Sequence, residues 1–177
     1  MIFTPTCLPG AFLIEPELRE DERGFFARAW CAREFESHGL NPRIAQCNYS
    51  FNKRKGTLRG MHYQEAPYRE AKLMRCTQGA IYDVIVDLRP ESPAYKQSFG
   101  AVLSPLNRRM MYAPEGFAHG FLTLEEGSEV FYQMSEFYAP ESGRGFRWND
   151  PAFHLAWPGE VLVICKRDRT YPDFVSP

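Results

Sequence analysis

Short apolar runs with a period of two, each closed by glycine or proline, dominate the chain. In AIYDVIVDLR, residues 80–89, Tyr82, Val84, Val86 and Leu88 share one face and Ile81, Asp83, Ile85 and Asp87 the other, the signature of an extended strand. Gln78-Gly79 supplies a tight turn into this run and Glu126-Gly127 a second hairpin turn. Similar strand signals lie at 24–30, 43–51, 57–64, 71–77, 96–103, 108–113, 117–124, 128–138 and 160–166. GRGF at 143–146 has two glycines but no strand-loop-helix setting, and reads as a turn. One short helix is predicted over CAREFESHG, 31–39, closed by Gly39. No repeat, linker or low-complexity block interrupts the pattern. Many short strands at this spacing predict an all-β sandwich or barrel, with a jelly roll as the leading architecture.

Composition narrows the setting. The chain has 177 residues, the size of one domain, and 44% of them are hydrophobic, enough for a real core. A net charge of −1 gives no bulk electrostatic case for nucleic acid or an anionic membrane. No apolar run approaches the roughly 20 residues that span a bilayer. The opening MIFTPTCLPGAF has no basic segment followed by an apolar one, so it does not read as a signal peptide. Cys7, Cys31, Cys47, Cys76 and Cys165 are odd in number, scattered and without CxxC spacing, which suits free thiols in a reducing cytosol. A soluble, cytoplasmic, single domain over 1–177 is expected.

The stretch TLRGMHYQEAP, 57–67, puts Arg59, a bare Gly, His62 and Gln64 within six residues. A barrel of this kind often holds a metal through two histidines at HxH spacing plus a distant His and a carboxylate. Here the stretch reads HYQ, and His38, His119 and His154 are isolated. Even if His119 met His62 in space, two imidazoles without a third good ligand make a poor site. Metal is disfavoured. Neither GxSxG nor GxxxxGK[ST] is present. What remains is acid–base chemistry in a cationic pocket. His62 is the side chain suited to take a proton at neutral pH. Lys72 or Arg59 would stabilise a developing oxyanion, and Tyr132 or Tyr138 could return a proton or stack on a ring. Asp168 and Asp83 both compete to orient His62.

Several blocks together resemble the dTDP-4-dehydrorhamnose 3,5-epimerase family: DERGFF (21–26), QCNYS (46–50), LRGMHYQ (58–64), KLMRCTQGAIYDVIVDLR (72–89), PEGFAHGF (114–121), FYQMSEFYAP (131–140), FRWNDP (146–151) and KRD (166–168). They run in order through nearly the whole chain. The resemblance implies a metal-free cupin-type jelly roll (a double-stranded β-helix) with a few short helices, working as a homodimer on a nucleotide-sugar without a cofactor. It makes His62 the base beside a C4 ketone, Asp168 its partner, Tyr132 the acid on the opposite face and Lys72 the group near the C4 oxygen. Arg59 and His119 would line the pocket, with Gln46, Asn48, Gln64 and Arg167 as further ligand contacts. Tyr138 would stack on the nucleobase, and Arg23 and Phe26 would reach the neighbouring subunit's nucleotide. On this reading Asp168 is preferred to Asp83.

The chain departs from the family at three places. Arg28 stands where a glutamate is usual, Gly143 where a carboxylate is common, and Arg167 where the terminal pair has lysine. Arg28 has two readings: it shifts base preference away from thymine, whose N3–H suits an acceptor, or it turns outward or pairs with a phosphate and leaves dTDP as ligand. Competing functions are a single-centre epimerase on a CDP- or GDP-linked deoxysugar, a 3,4-ketoisomerase, and a catalytically silent nucleotide-sugar-binding cupin.

Overall fold

Period-two alternation becomes strand nearly everywhere it is strong. The computed structural model describes residues 1–175. Its strands are β1 (Ile2–Pro5), β2 (Phe12–Glu15), β3 (Arg19–Asp21), β4 (Gly24–Phe26), β5 (Gln46–Asn52), β6 (Thr57–Gln64), β7 (Lys72–Gln78), β8 (Ile81–Asp87), β9 (Ser98–Leu103), β10 (Met110–Ala113), β11 (Phe117–Thr123), β12 (Ser128–Met134), β13 (Gly143–Gly145) and β14 (Val163–Ile164). Two short helices, α1 (Ala32–Ser37) and α2 (Lys166–Thr170), complete it.

One sheet has the order β1-β2-β10-β7-β12-β5, the other β13-β6-β11-β8-β9, and β3 and β4 form a separate hairpin. Neighbours within the sheets are antiparallel, except that β14 adds to β6 in parallel. This is the cupin-type jelly roll. Both faces of β8 are used. Ile81 and Ile85 join Met74, Met111, Phe121 and Val130 in one core cluster. Val84 and Val86 pack with Met61, Phe146 and Phe153 in a second. A third gathers Phe35 of α1 with Ile14, Leu73, Met110 and Tyr112.

The helix at 31–39 is present, shortened to 32–37. Gly39, at φ +71°, closes it: its N–H donates to the Glu36 carbonyl and that of Leu40 to the Phe35 carbonyl, a Schellman ending. Several expected boundaries differ. Only 24–26 of the run 24–30 is strand, because β3 is its sole partner. The run 128–138 stops at Met134, where the chain turns and the Gln46 and Gln64 side chains take the next backbone groups. Of 160–166 only Val163–Ile164 pairs, before α2 begins. GRGF is not a turn: Gly143–Gly145 pairs with Gln64–His62 as β13.

The local feature that shapes the interior is a register shift in β6. Arg59 pairs with Phe121 and His62 with His119, so three steps on β6 match two on β11, a β-bulge. In an unbroken strand Arg59 and His62 would point to opposite faces. The extra residue brings both into the space between the sheets. Gly60 makes the shift possible: its φ is +133°, and a Cβ there would lie 2.5 Å from the Gly120 Cα. Gly60→Ala should therefore cost about 2 kcal/mol or more. A fall in the urea midpoint together with a displaced His62 ring resonance would show it; an unchanged ring signal would mean that the bulge tolerates a side chain.

Candidate active site

Between the inner faces of the two sheets lies a cavity of about 1030 Å³, open at one end. The second sheet contributes Arg59, His62 and Gln64 from β6 and His119 from β11. The first contributes Gln46 and Asn48 from β5, Lys72 from β7 and Tyr132 from β12. Arg167 and Asp168 enter from α2, and Tyr138 from the loop after β12. His62 and Tyr132 thus stand on different sheets, facing one enclosed volume.

The His62 ring donates through Nε2 to Asp168 Oδ1 at 2.8 Å. Asp168 is buried, and its other oxygen accepts the Gly60 N–H at 3.1 Å. Burial alone would raise this carboxyl, but the bond and charge of His62, with the Gly60 N–H, bring it down to about 2. An ionised Asp168 assigns the ring proton to Nε2 and leaves the Nδ1 lone pair free to accept. Burial lowers the His62 pKa from its usual 6.5; Asp168 opposes that shift and the charges of Lys72 and Arg167 add to it. His62 is accordingly neutral at pH 7. Arg167 is exposed, with its guanidinium 3.4 Å from Asp168 Oδ1.

Asp83 does not compete for His62. It is fully buried and pairs with His119 Nε2 at 2.7 Å, so the cavity holds two His–Asp pairs side by side on β6 and β11. Among the described residues no group of three or more His, Cys, Asp or Glu side chains comes together as a metal site. His38 stacks on Phe3 at 3.9 Å, away from the cavity.

Lys72, itself buried, meets Glu70 with Nζ 2.8 Å from Oε1. Tyr132 is half-buried; desolvation raises its phenol above 10 while Arg59 pulls the other way, so the hydroxyl keeps its proton at neutral pH. Arg59 is steadied by a 2.7 Å bond from Nε to Asn52 Oδ1. Gln64 is occupied in positioning: its amide donates to the Tyr68 and Phe137 carbonyls and accepts from Ala139 N–H. Gln46 Oε1 accepts the Tyr138 N–H at 3.0 Å, and Asn48 contacts the Met134 sulfur. Together the two glutamines set the loop that leaves the Tyr138 ring, 55% exposed, at the mouth.

Three predicted residues lie elsewhere. Arg23 pairs with Asp21, Phe26 is 71% exposed on the β3–β4 hairpin, and Arg28 Nη1 reaches Glu34 Oε1 at 2.7 Å. None lines the cavity of its own chain. Conversely, sequence reasoning missed Glu70, Arg144 and Tyr171, all of which line it. Glu70 had one usable signal, its spacing two before Lys72. Tyr171 sits with its ring 6.1 Å from that of His62, just past a helix too short to show a period.

A family model for dTDP-4-dehydrorhamnose 3,5-epimerase matches residues 5–176. The chain is 44% identical over 173 residues to a dTDP-4-dehydrorhamnose 3,5-epimerase of Methanothermobacter thermautotrophicus, covering 96% of this chain and 92% of the relative. It resembles a solved dTDP-4-dehydrorhamnose 3,5-epimerase from Bacillus anthracis with TDP and PPi bound, at TM-score 0.93 and 39% identity, covering 98% of this chain and 99% of that one. A dTDP-6-deoxy-D-glucose-3,5-epimerase from Legionella pneumophila, in complex with dTDP-4-keto-L-rhamnose, matches at TM-score 0.87 and 36% identity over 94% of this chain and 89% of the other.

Two titrations follow from the pairing. By NMR, the His62 ring should stay neutral to below pH 6.5. Asp168→Asn should push its midpoint lower still, since the carboxylate is what opposes the burial effect; an upward move would contradict the assigned pairing. Stability should also fall with pH in two stages. Below 6.5 the unfolded chain binds a proton at this histidine before the folded one does, and between about 4 and 2 the same holds for Asp168. Urea midpoints across that range would show both, and the lower stage should be smaller in Asp168→Asn, where Glu34 and Asp87 still contribute to it.

Proposed function

As this chain belongs to the dTDP-4-dehydrorhamnose 3,5-epimerase family of isomerases, we propose that it inverts C3 and C5 of dTDP-4-keto-6-deoxyglucose by proton removal from one face and return from the other. A hydrogen on a carbon beside a ketone is removable because the electron pair left behind delocalises onto the carbonyl oxygen. The reaction therefore needs a base, a positive charge at that oxygen and an acid opposite the base. His62, neutral and with Nδ1 free to accept, is the base. Lys72 lies at C4 and takes up the charge of the enolate, with Arg59 nearby. Tyr132, protonated and on the facing sheet, delivers the new proton. C3 and C5 both flank C4, so one set of groups serves both centres in turn. The electron pair never leaves the sugar, and the chemistry calls for no cofactor.

Arg59 and Arg167 supply positive charge for the diphosphate, and Tyr138 at the mouth stacks on the base. The bound TDP and PPi of the B. anthracis relative and the dTDP-4-keto-L-rhamnose of the L. pneumophila one support a nucleotide-sugar ligand. Arg23, Phe26 and Arg28 lie on or beside an exposed hairpin, which suits a homodimer in which each hairpin reaches its partner's nucleotide. The ion pair of Arg28 with Glu34 favours its outward reading, and with it dTDP over CDP or GDP. The observation that carries the whole is the neutral, carboxylate-held His62 on one sheet opposite the protonated Tyr132 on the other, with Lys72 alongside.

Proton NMR of dTDP-4-keto-6-deoxyglucose in D₂O should lose the C3 and C5 signals when the protein is added. Exchange at one position alone would reduce the activity to a single centre, and no exchange would refute the proposal. His62→Asn should cut exchange at both carbons by about 10³-fold or more while dTDP still binds in calorimetry. Tyr132→Phe should separate the steps: deuterium continues to wash in, because the base is intact, while the inverted product forms at least about 10²-fold more slowly. Equal loss of both would place Tyr132 before the enolate instead.

A further inference from the structure

Lys72 has a partner that the chemistry above does not use. We infer that Glu70 is the positioning residue for Lys72, holding its ammonium aimed at the oxygen that becomes the enolate; this deepens the epimerase reading and rests on it. Both side chains are buried, at 3% and 10% exposure, and both line the cavity. The 2.8 Å pair is the only salt bridge either makes among the described residues. Glu70 Oε2 is buried with no hydrogen-bond partner among them, so no second donor dilutes the carboxylate's hold on Lys72.

The surroundings leave this task to Glu70. Lys72 lies between β10 and β12 in its sheet and faces β6 across the cavity. Its β10 neighbour is Ala113, which has no charge to offer. Its β12 neighbour is Met134, with the protonated, neutral Tyr132 two residues earlier on the same strand. From β6 come His62, also neutral, and Arg59, a like charge. The carboxylate of Asp168 is already engaged by His62 and Gly60. Without Glu70 the ammonium would lie buried among a like charge and neutral groups, with no carboxylate to orient it.

The backbone that carries Glu70 is fixed independently of the pair. Gln64 ties the Tyr68 carbonyl, and Ala71 N–H donates to Ser135 Oγ at 2.8 Å while the Ala71 carbonyl accepts from Ser135 N–H. The loop between β6 and β7 is therefore clamped on both sides of Glu70. The carboxylate can act as a fixed anchor rather than a mobile counter-ion.

The test compares wild type with Glu70→Gln, which keeps shape and removes charge, and Glu70→Asp, which keeps charge. Two readouts are made. In the first, acetylation of Lys72 at pH 8.5 is followed by mass spectrometry against exposed Lys53. Glu70→Gln should speed modification of Lys72 about tenfold, as an amine released from its carboxylate and free to move in the cavity requires, with Glu70→Asp closer to wild type. In the second, exchange on the dTDP-keto-sugar is timed. Glu70→Gln should lower kcat at least about tenfold with KM changed less than about threefold. Glu70→Asp should restore part of the rate. Equal acetylation in wild type and Glu70→Gln, or an unchanged kcat, would overturn the inference. If wild type exchanges no proton on any keto-sugar, the functional reading fails, and acetylation still decides the Glu70–Lys72 pairing. Should Glu70→Gln not fold, the double variant Glu70→Gln/Lys72→Met removes both charges. It folds if the pair is a charge couple, and fails if Glu70 merely fills the core.

Discussion

The interior chemistry depends on one misregistered residue. A strand that kept strict alternation through 57–64 could not present both Arg59 and His62 to the same cavity, because residues three apart fall on opposite faces. Gly60 absorbs the additional step against β11. The same glycine, stripped of a side chain and lying flush against Gly120, also turns its N–H to Asp168. A single backbone irregularity thus aligns a cation, aims the His62 ring and docks the carboxylate that holds that ring.

Around that point the charges are arranged in couples rather than as a bare cationic lining. His62 takes Asp168, His119 takes Asp83, and Lys72 takes Glu70. Each couple places an acid deep in the wall and turns its partner toward the cavity. Burying any of these acids or bases alone would be costly. Pairing lets polar side chains stand in a region otherwise packed with Met74, Ile85, Phe121 and Val130. Arg59 and Arg167, by contrast, sit near solvent, where a dianionic ligand can replace the water around them.

Much of this was legible in the residue pattern, and the losses have physical causes. A strand whose alternation is uninterrupted, such as 81–87, could be read almost to the residue, since period two is a local property. β1 and β2 went unread because Pro5, Pro9 and Gly10 break the pattern to a few residues on each side. β13 was taken for a turn because two glycines in three positions carry no alternation. α2 is five residues long, too short for a helical period, yet it delivers Asp168. Residue type alone was enough to pick out a lone histidine in a strand, a following lysine and a distant Asp, which the fold brings to one cavity. The choice between Asp168 and Asp83 was not, since both can face inward and only the bulge in β6 and the His62–His119 register assign one acid to each ring. Glu70 was passed over because a charged residue in a loop reads as solvated, and its spacing two before Lys72 was the one signal against that reading. Only the clamped loop turns it inward.

In the proposed mechanism, with its base on one sheet and its acid on the other, the width of the sandwich is a chemical variable. The two sheets are held apart by the core cluster in which Met74, Met111, Ile85, Phe121 and Val130 meet and against which Tyr132 packs. These apolar side chains act as spacers between two halves of a proton relay. Thinning them brings the facing walls together and thickening them parts the walls, without touching a polar group. Stereochemical fidelity, the fraction of proton removals that end in inversion rather than return, then becomes a property of the hydrophobic core.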